Sequence, residues 1–248
     1  MSLGVVITTC KHYFPNIDNL LREFEVCEFP KDRILVVSGQ EDTTEQCSLR
    51  GVRIQKVPYT CLHLTGVKYV HDNMEQFPNI EYWVVLPDTI SVGPKFCSIL
   101  QQFLQTIGDT SQLYAIPFVH PAIRPTMDMG ILTKRHIRNM GDYLEKIQRM
   151  KYNDNTIRRL KKQLIFDENT ILGLDVPNKR RVTSFQYRDP HFSKQNIRHF
   201  LVTNQEDIRV EGVQVGSRMC KANYFPTLDF VKYQRNFNGS TANIVMEL

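Results

Sequence analysis

Four short apolar runs, Gly4 to Ile7, Ile34 to Val37, Tyr82 to Leu86 and Leu113 to Val119, are each followed by a polar turn and then by a helical pattern. That alternation constrains the chain more than any other feature. Strands separated by helices pair in parallel, because a helical crossover returns the chain to the end of the sheet it started from. Near-continuous apolarity within each run predicts strands covered on both faces.

The intervening segments supply the helices. Ile17, Leu20, Leu21 and Phe24 share one face of a predicted helix over 17–26, with Pro15 at its start and Asn16 as the expected cap. Phe96, Ile99, Leu100, Phe103, Leu104 and Ile107 repeat the spacing, starting after Gly93-Pro94 and ending at Gly108-Asp109. A further strand is expected at Val52 to Val57. After Val119 come Pro121, Pro125, a compact Asp128-Met129-Gly130-Ile131-Leu132-Thr133, and a long helical zone from Lys134 to Lys162, broken at Asn153-Asp154-Asn155. From Leu164 onward, short apolar pieces mix with turns, giving an α+β character. With no glycine- or serine-rich linker and no internal repeat, a single domain over 1–248 is expected.

Composition narrows the function classes. At 42% hydrophobic and 23% charged, the chain has neither a disordered nor a fibrous composition. A net charge of +5, from 31 basic against 26 acidic residues, suits a polyanionic small molecule but falls short of the basic stripe of a dedicated nucleic-acid binder. Arg158, Arg159, Lys161 and Lys162, and the later Lys179, Arg180 and Arg181, read as solvated faces. The six cysteines form no CxxC pair and no metal-type spacing, which argues against a disulfide scaffold or a structural zinc. The opening apolar run is too short for a signal or a span, and no run approaches the roughly 18 apolar residues a membrane helix needs. A cytoplasmic chain with no integral membrane segment is therefore expected.

In an open α/β sheet, ligands bind beyond the carboxyl ends of the strands. Those ends are polar: Thr8, Thr9 and Cys10 after the first run; Ser38, Gly39, Gln40, Glu41 and Asp42 after the second; Pro87, Asp88 and Thr89 after the third; His120 after the fourth. No GxGxxG, GxxxxGK[ST], GxSxG or HExxH occurs, so a bound phosphate needs another device, and a divalent cation held by carboxylates is the obvious one.

A first strand ending in Thr-Thr, a second ending in Ser-Gly-Gln-Glu-Asp, and the strand Trp83-Val84-Val85-Leu86-Pro87-Asp88-Thr89 together resemble the GT-A class of nucleotide-sugar glycosyltransferases. The pattern covers roughly the first 130 residues. The resemblance implies a Rossmann-like α/β fold with a donor nucleotide-binding half at 1–120 and an acceptor-side half at 121–248. It implies transfer of a sugar from a nucleotide-diphosphate sugar, UDP-linked as the preferred guess, to a hydroxyl of a glycan or glycoprotein. Small anchor-free members occur in bacteria and in large DNA viruses, and for a viral protein the compartment would be the host cytoplasm. A nucleotidyltransferase is the alternative, but it normally begins with a glycine-rich basic loop, and none follows Val5 to Ile7. A non-catalytic binding protein that keeps the same sheet is the other.

By the same resemblance, Thr8, Thr9 and Asp42 hold the nucleoside, and Lys68 is the basic residue near the diphosphate. The family's Asp-x-Asp corresponds to Leu86-Pro87-Asp88, which lacks the first acid. Asp88 is carried over as a ligand of Mn2+ or Mg2+, with a turn or a cap for the Phe96 helix as its competing role. Asp128 and Gly130 belong to a turn beneath the donor sugar, where glycine admits close approach. Asp167 or Glu168 is the expected general base that deprotonates the acceptor, in competition with helix capping by Asp167. His191, in Arg188-Asp189-Pro190-His191-Phe192, is the candidate second metal ligand, in competition with an ordinary loop histidine.

Overall fold

A computed structural model describes residues 2–11, 13–106, 115–118, 129–150, 209–215 and 218–234. The first half is built as its alternation demands. Strand β1 (Leu3–Cys10) leads through helix α1 (Pro15–Val26) to β2 (Ile34–Gly39). A hairpin of β3 (Glu45–Leu49) and β4 (Val52–Lys56) follows, then α2 (Thr65–Asp72) and β5 (Tyr82–Pro87). Strands β4, β2, β1 and β5 lie side by side in parallel. At the margins, β3 runs antiparallel to β4, while β8 (Gly130–Thr133) pairs antiparallel with β5 and carries β7 (Ala115–Pro117) beyond it. The seven-stranded order is β3-β4-β2-β1-β5-β8-β7.

Successive strand residues point to opposite faces, and each face has its own core. Val5, Ile7, Val36, Val84 and Leu86 face a cluster completed by Ile17, Leu20, Leu21 and Phe24 of α1, and by Phe96, Leu100 and Leu104 of α3 (Phe96–Thr106). Val6, Leu35, Val37, Trp83 and Val85 face Val67 and Val70 of α2 together with Ile137, Leu144 and Ile147. Those last three belong to α4 (Lys134–Asn139) and α5 (Gly141–Gln148). Helices thus cover both sides of the sheet, which is why its central strands read as unbroken apolar runs.

A second sheet, ordered β6-β11-β10-β9, is antiparallel throughout. Its strands are β6 (Ile90–Val92), β9 (Arg209–Val215), β10 (Arg218–Phe225) and β11 (Phe230–Gln234). Phe225 and Phe230 stack at 4.3 Å, and Phe230 meets Phe96 edge-on at 5.9 Å, so this sheet closes over α3 and joins the same core. Asp229, in a left-handed conformation (φ 54°), ties it down further. Its carboxylate accepts from the Lys95 amide at 2.7 Å and its carbonyl accepts from the Gly93 amide at 2.7 Å. A side chain at Gly93 would run into that carboxylate, so glycine is required there.

Two sequence expectations need correction. Asn16 is not the cap of α1: the cap position is Phe14, which makes no side-chain cap bond, and Asn16 is fully buried within the helix. The long helix expected from Lys134 is interrupted earlier, at Met140, where Gly141 packs so tightly on His71 that an added Cβ would lie 2.8 Å from Nε2; the break expected at Asn153-Asp154-Asn155 lies outside the described residues. Thr133 caps the first piece, its Oγ1 accepting from the His136 amide at 3.1 Å. The strand expected at Leu113 to Val119 is described only as the three residues of β7.

Candidate active site

From β1 the chain moves outward to β2 and β4, then returns to place β5 on the other side of β1. The connections at the carboxyl ends of β1 and β5 therefore leave in opposite directions. A crevice at such a switch point is where open α/β sheets bind ligands.

Thr9 and Asp88 meet there. Thr8 of β1 pairs with Pro87 of β5, so the next residue on each strand is Thr9 and Asp88. The Asp88 amide donates to the Thr8 carbonyl at 3.1 Å, extending the ladder by one bond. The Thr9 hydroxyl donates to Asp88 Oδ2 at 2.7 Å, which fixes the carboxylate's rotation. Asp88 is only 7% exposed. Burial pushes its carboxyl up to about 6, against the opposing pulls of the Thr9 hydroxyl and the positive charge of Lys232. Asp88 does not cap the Phe96 helix, since all of β6 intervenes.

The end of β2 contributes a second polar group. Ser38 donates to Glu41 Oε1 at 2.5 Å, in a turn where Gln40 takes a positive φ of 61° and the Glu41 amide donates to the Val57 carbonyl at 3.1 Å. Asp42 follows at the surface, paired with Lys11 at 2.7 Å, and that hydrogen bond draws its carboxyl below the ordinary value. The Lys11–Asp42 pair spans the carboxyl ends of β1 and β2. Thr8 looks toward α2 instead: its hydroxyl accepts from the Gly66 amide at 3.0 Å.

Thr8, Thr9, Asp42 and Asp88 therefore share one edge of the sheet. Lys68 is committed elsewhere. Its ammonium, 5% exposed, lies 2.5 Å from Asp72 and 2.8 Å from Glu145, tying α2 to α5 and leaving both acids to absorb its charge. Gly130 is the first residue of β8, opposite Val85 and Pro117, and is a ladder residue of the sheet instead of part of a turn. Asp128, Asp167, Glu168 and His191 lie outside the described residues.

Lys232 had no sequence signal, because Phe-Val-Lys-Tyr-Gln reads as an ordinary half-exposed strand. Only the register of β11 against β6, with Lys232 opposite Ile90, brings it to the turn after Asp88. There its Nζ donates to the Thr89 carbonyl at 3.3 Å and to the Thr89 hydroxyl. The Tyr233 amide reaches the same carbonyl at 2.9 Å.

The implied Mn2+ or Mg2+ can be tested against these groups. Such cations take about six oxygen ligands in a compact shell. Around Asp88 the described residues offer one carboxylate, half engaged by Thr9, with a lysine charge alongside. Among the described residues no three His, Cys, Asp or Glu side chains are grouped to hold a metal. Asp88 could supply one oxygen ligand, while His191, the other candidate ligand, lies outside the described residues.

A shallow groove of about 570 Å³, lined by His71, Met74, Glu75, Pro78, Lys134 and Arg138, opens near the amino end of β5. It is remote from Asp88, and neither a buried acid nor strand-end chemistry faces it. The buried Thr9–Asp88 pair is the better marker of a site, because an isolated ionisable group is costly to bury and is seldom retained without use.

Fold and site together define a three-layer α/β protein with a Rossmann-like parallel sheet, an appended antiparallel sheet, and the Thr9–Asp88 pair at the switch point. Compared with family models and with curated proteins, the chain matches none. Among solved structures it is similar to the crystal structure of a glycosyltransferase involved in the glycosylation of the major capsid of PBCV-1. The identity is 12%, over 81% of this chain and 82% of that chain, with a TM-score of 0.36. A likeness that loose carries no functional weight. Among the described residues no helix is long and apolar enough to cross a membrane.

Proposed function

We propose that the chain transfers a glycosyl group from a nucleoside-diphosphate sugar to a hydroxyl of a glycan or glycoprotein. The supporting observation is the buried Thr9–Asp88 pair at the switch of a parallel sheet. The nucleoside lies across the ends of β1 and β2, near Thr8, Thr9 and Asp42, and the diphosphate-linked sugar lies over the end of β5. An ionised carboxylate only accepts hydrogen bonds, so Asp88 suits the hydroxyls of a ribose or of the transferred sugar. In the reaction the bond from the anomeric carbon to the diphosphate breaks, and a bond from that carbon to the acceptor oxygen forms. The acceptor's proton passes to a base, for which Asp167 or Glu168 is the candidate. The diphosphate leaves with added negative charge that the site must offset.

Transfer and hydrolysis assays over a panel of nucleotide sugars, each with EDTA and with manganese, test this directly. Turnover of at least one donor is expected, and Asp88→Ala should abolish it while leaving the circular dichroism spectrum unchanged. If neither UDP- nor GDP-sugars raise the melting temperature, the donor site is misassigned; full activity in Asp88→Ala would remove Asp88 from it.

A further inference from the structure

Two thiols meet where the end of α1 touches the start of α3. Cys27 is the cap residue that closes α1, and Cys97 is the second residue of α3. The thiol and the backbone amide of Cys97 both direct hydrogen bonds at Cys27 Sγ. That sulfur also lies 3.1 Å from the Gly93 carbonyl, which accepts from the Phe96 amide as well, so Cys27 sits directly against the first turn of α3. Cys61 is placed differently: it is buried against the Leu144 carbonyl at 3.7 Å, and burial pushes its thiol up to about 12.

The two thiols of the pair are unequal. Cys27 is half-buried and open to solvent, whereas Cys97 is only 3% exposed. The bonds from Cys97 draw the Cys27 thiol below its ordinary range, against burial and the charges of Asp229 and Glu23, while donation to Cys27 holds the Cys97 thiol above it. An accessible thiol that ionises readily makes the first attack on a disulfide, and a neighbour in contact with it completes the exchange.

We propose that Cys27 and Cys97 form a reversible redox site, oxidised by small-molecule disulfides of the glutathione class to a disulfide bond that straps α1 to α3. The Cys27 thiolate attacks one sulfur of the small disulfide, forming a mixed disulfide and expelling one small thiolate, which takes up the proton that Cys27 lost. Cys97 then gives up its proton and attacks Cys27 Sγ. The protein disulfide forms, and the second small thiolate leaves and takes up that proton. Two protein thiols are oxidised by two electrons, and one small disulfide is reduced to two thiols. Sulfurs already in contact reach bonding distance by side-chain rotation. The segment they join is held at the same place without them. Glu23 of α1 accepts from Ser91 Oγ at 2.5 Å and from the Val92 amide at 2.8 Å, and Asp229 holds the Gly93 and Lys95 amides. The bond therefore adds a covalent tie to an existing junction and closes a long loop, which restricts the unfolded chain.

The test equilibrates the full chain in glutathione buffers from fully reduced to fully oxidised, traps the thiols with iodoacetamide and maps the peptides by mass spectrometry. One disulfide joining Cys27 to Cys97 is expected, reversed by dithiothreitol, and it should raise the melting temperature by about 5 °C or more. In Cys97→Ser the reaction should stop with glutathione attached to Cys27, and in Cys27→Ser the Cys97 thiol should stay reduced. Three results would each overturn the proposal: glutathione that remains on wild-type Cys27 without crosslinking, a bond from either cysteine to a different one, and a Cys27 that stays reduced in the oxidised buffer. A Cys27–Cys97 bond that leaves the melting temperature unchanged or lower overturns the strap. Should Cys97→Ser fail to melt cooperatively, Cys97→Ala, which buries no hydroxyl, is judged by the same criteria.

Discussion

The two sheets of this molecule are held together by different means. Strands β4, β2, β1 and β5 are parallel and lie between two apolar clusters; Val5 of β1 pairs with Ile34 of β2, and Leu3 of β1 pairs with Tyr82 of β5 after a longer return. In the second sheet, β6 must find β11 across more than half the chain, and polar contacts such as Gly93 to Asp229 and Thr89 to Lys232 accompany the pairing. One sheet is specified by local pattern and the other by distant partners. The candidate site lies where they meet: the chain leaves β5, presents Asp88, and enters β6 two residues later.

The largest expected effect tests whether the two sheets share one fold. Phe96 is fully buried and meets Phe24 beneath the first sheet at 6.2 Å, and Phe118 and Phe230 at 6.1 and 5.9 Å. Phe96→Ala should lower stability by about 3–5 kcal/mol in urea unfolding. The loss should appear in a single transition; two transitions would separate the sheets into independent units.

Next comes the junction itself. Because the Asp88 carboxyl sits at about 6 in the fold against an ordinary 3.8, the folded state holds its proton more tightly than the unfolded chain. Stability from this group is fully present below about pH 4 and is lost as pH rises through about 6, a fall of roughly 3 kcal/mol. Asp88→Asn should lack that fall. The difference between the wild-type and Asn curves isolates Asp88 from Glu23, whose burial raises its own carboxyl in the same direction. Parallel curves would show that Asp88 is not buried as described.

Smaller effects probe the first sheet alone. Lys68→Met should cost roughly 1–2 kcal/mol, because Asp72 and Glu145 lose the ammonium between them yet remain partly open to water. Asp42→Ala should leave the urea midpoint almost unchanged, since its pair with Lys11 is 84% and 54% exposed. Any larger stability loss there would mean that the ends of β1 and β2 are held by that pair.

The same contrast explains what could be seen in the sequence. Leu-Gly-Val-Val-Ile and Tyr-Trp-Val-Val-Leu announce buried parallel strands by themselves, because burial on two faces leaves no room for polar alternation. With those strands came the polar ends, and hence Thr9 and Asp88 as separate candidates at the carboxyl ends of two strands. Register was not visible, so the hydrogen bond between them had to be observed. The second sheet escaped because β6 has only three residues and its partner lies far along the chain. Lys232 escaped with it. The ion pairs of Lys68 were hidden for a related reason: helix periodicity shows which face a lysine occupies, but not that two acids wait there, one of them on α5.

The link between Thr89 and Lys232 spans 143 positions. Contacts that distant form late, because the loop-closure entropy must be met before the pairing returns anything. A nascent chain could complete β1 through β5, with both helical layers begun, while the turn after Asp88 still lacked β11. The acid would then exist before its setting did. The turn after Asp88 would take its final form only when β11 arrived.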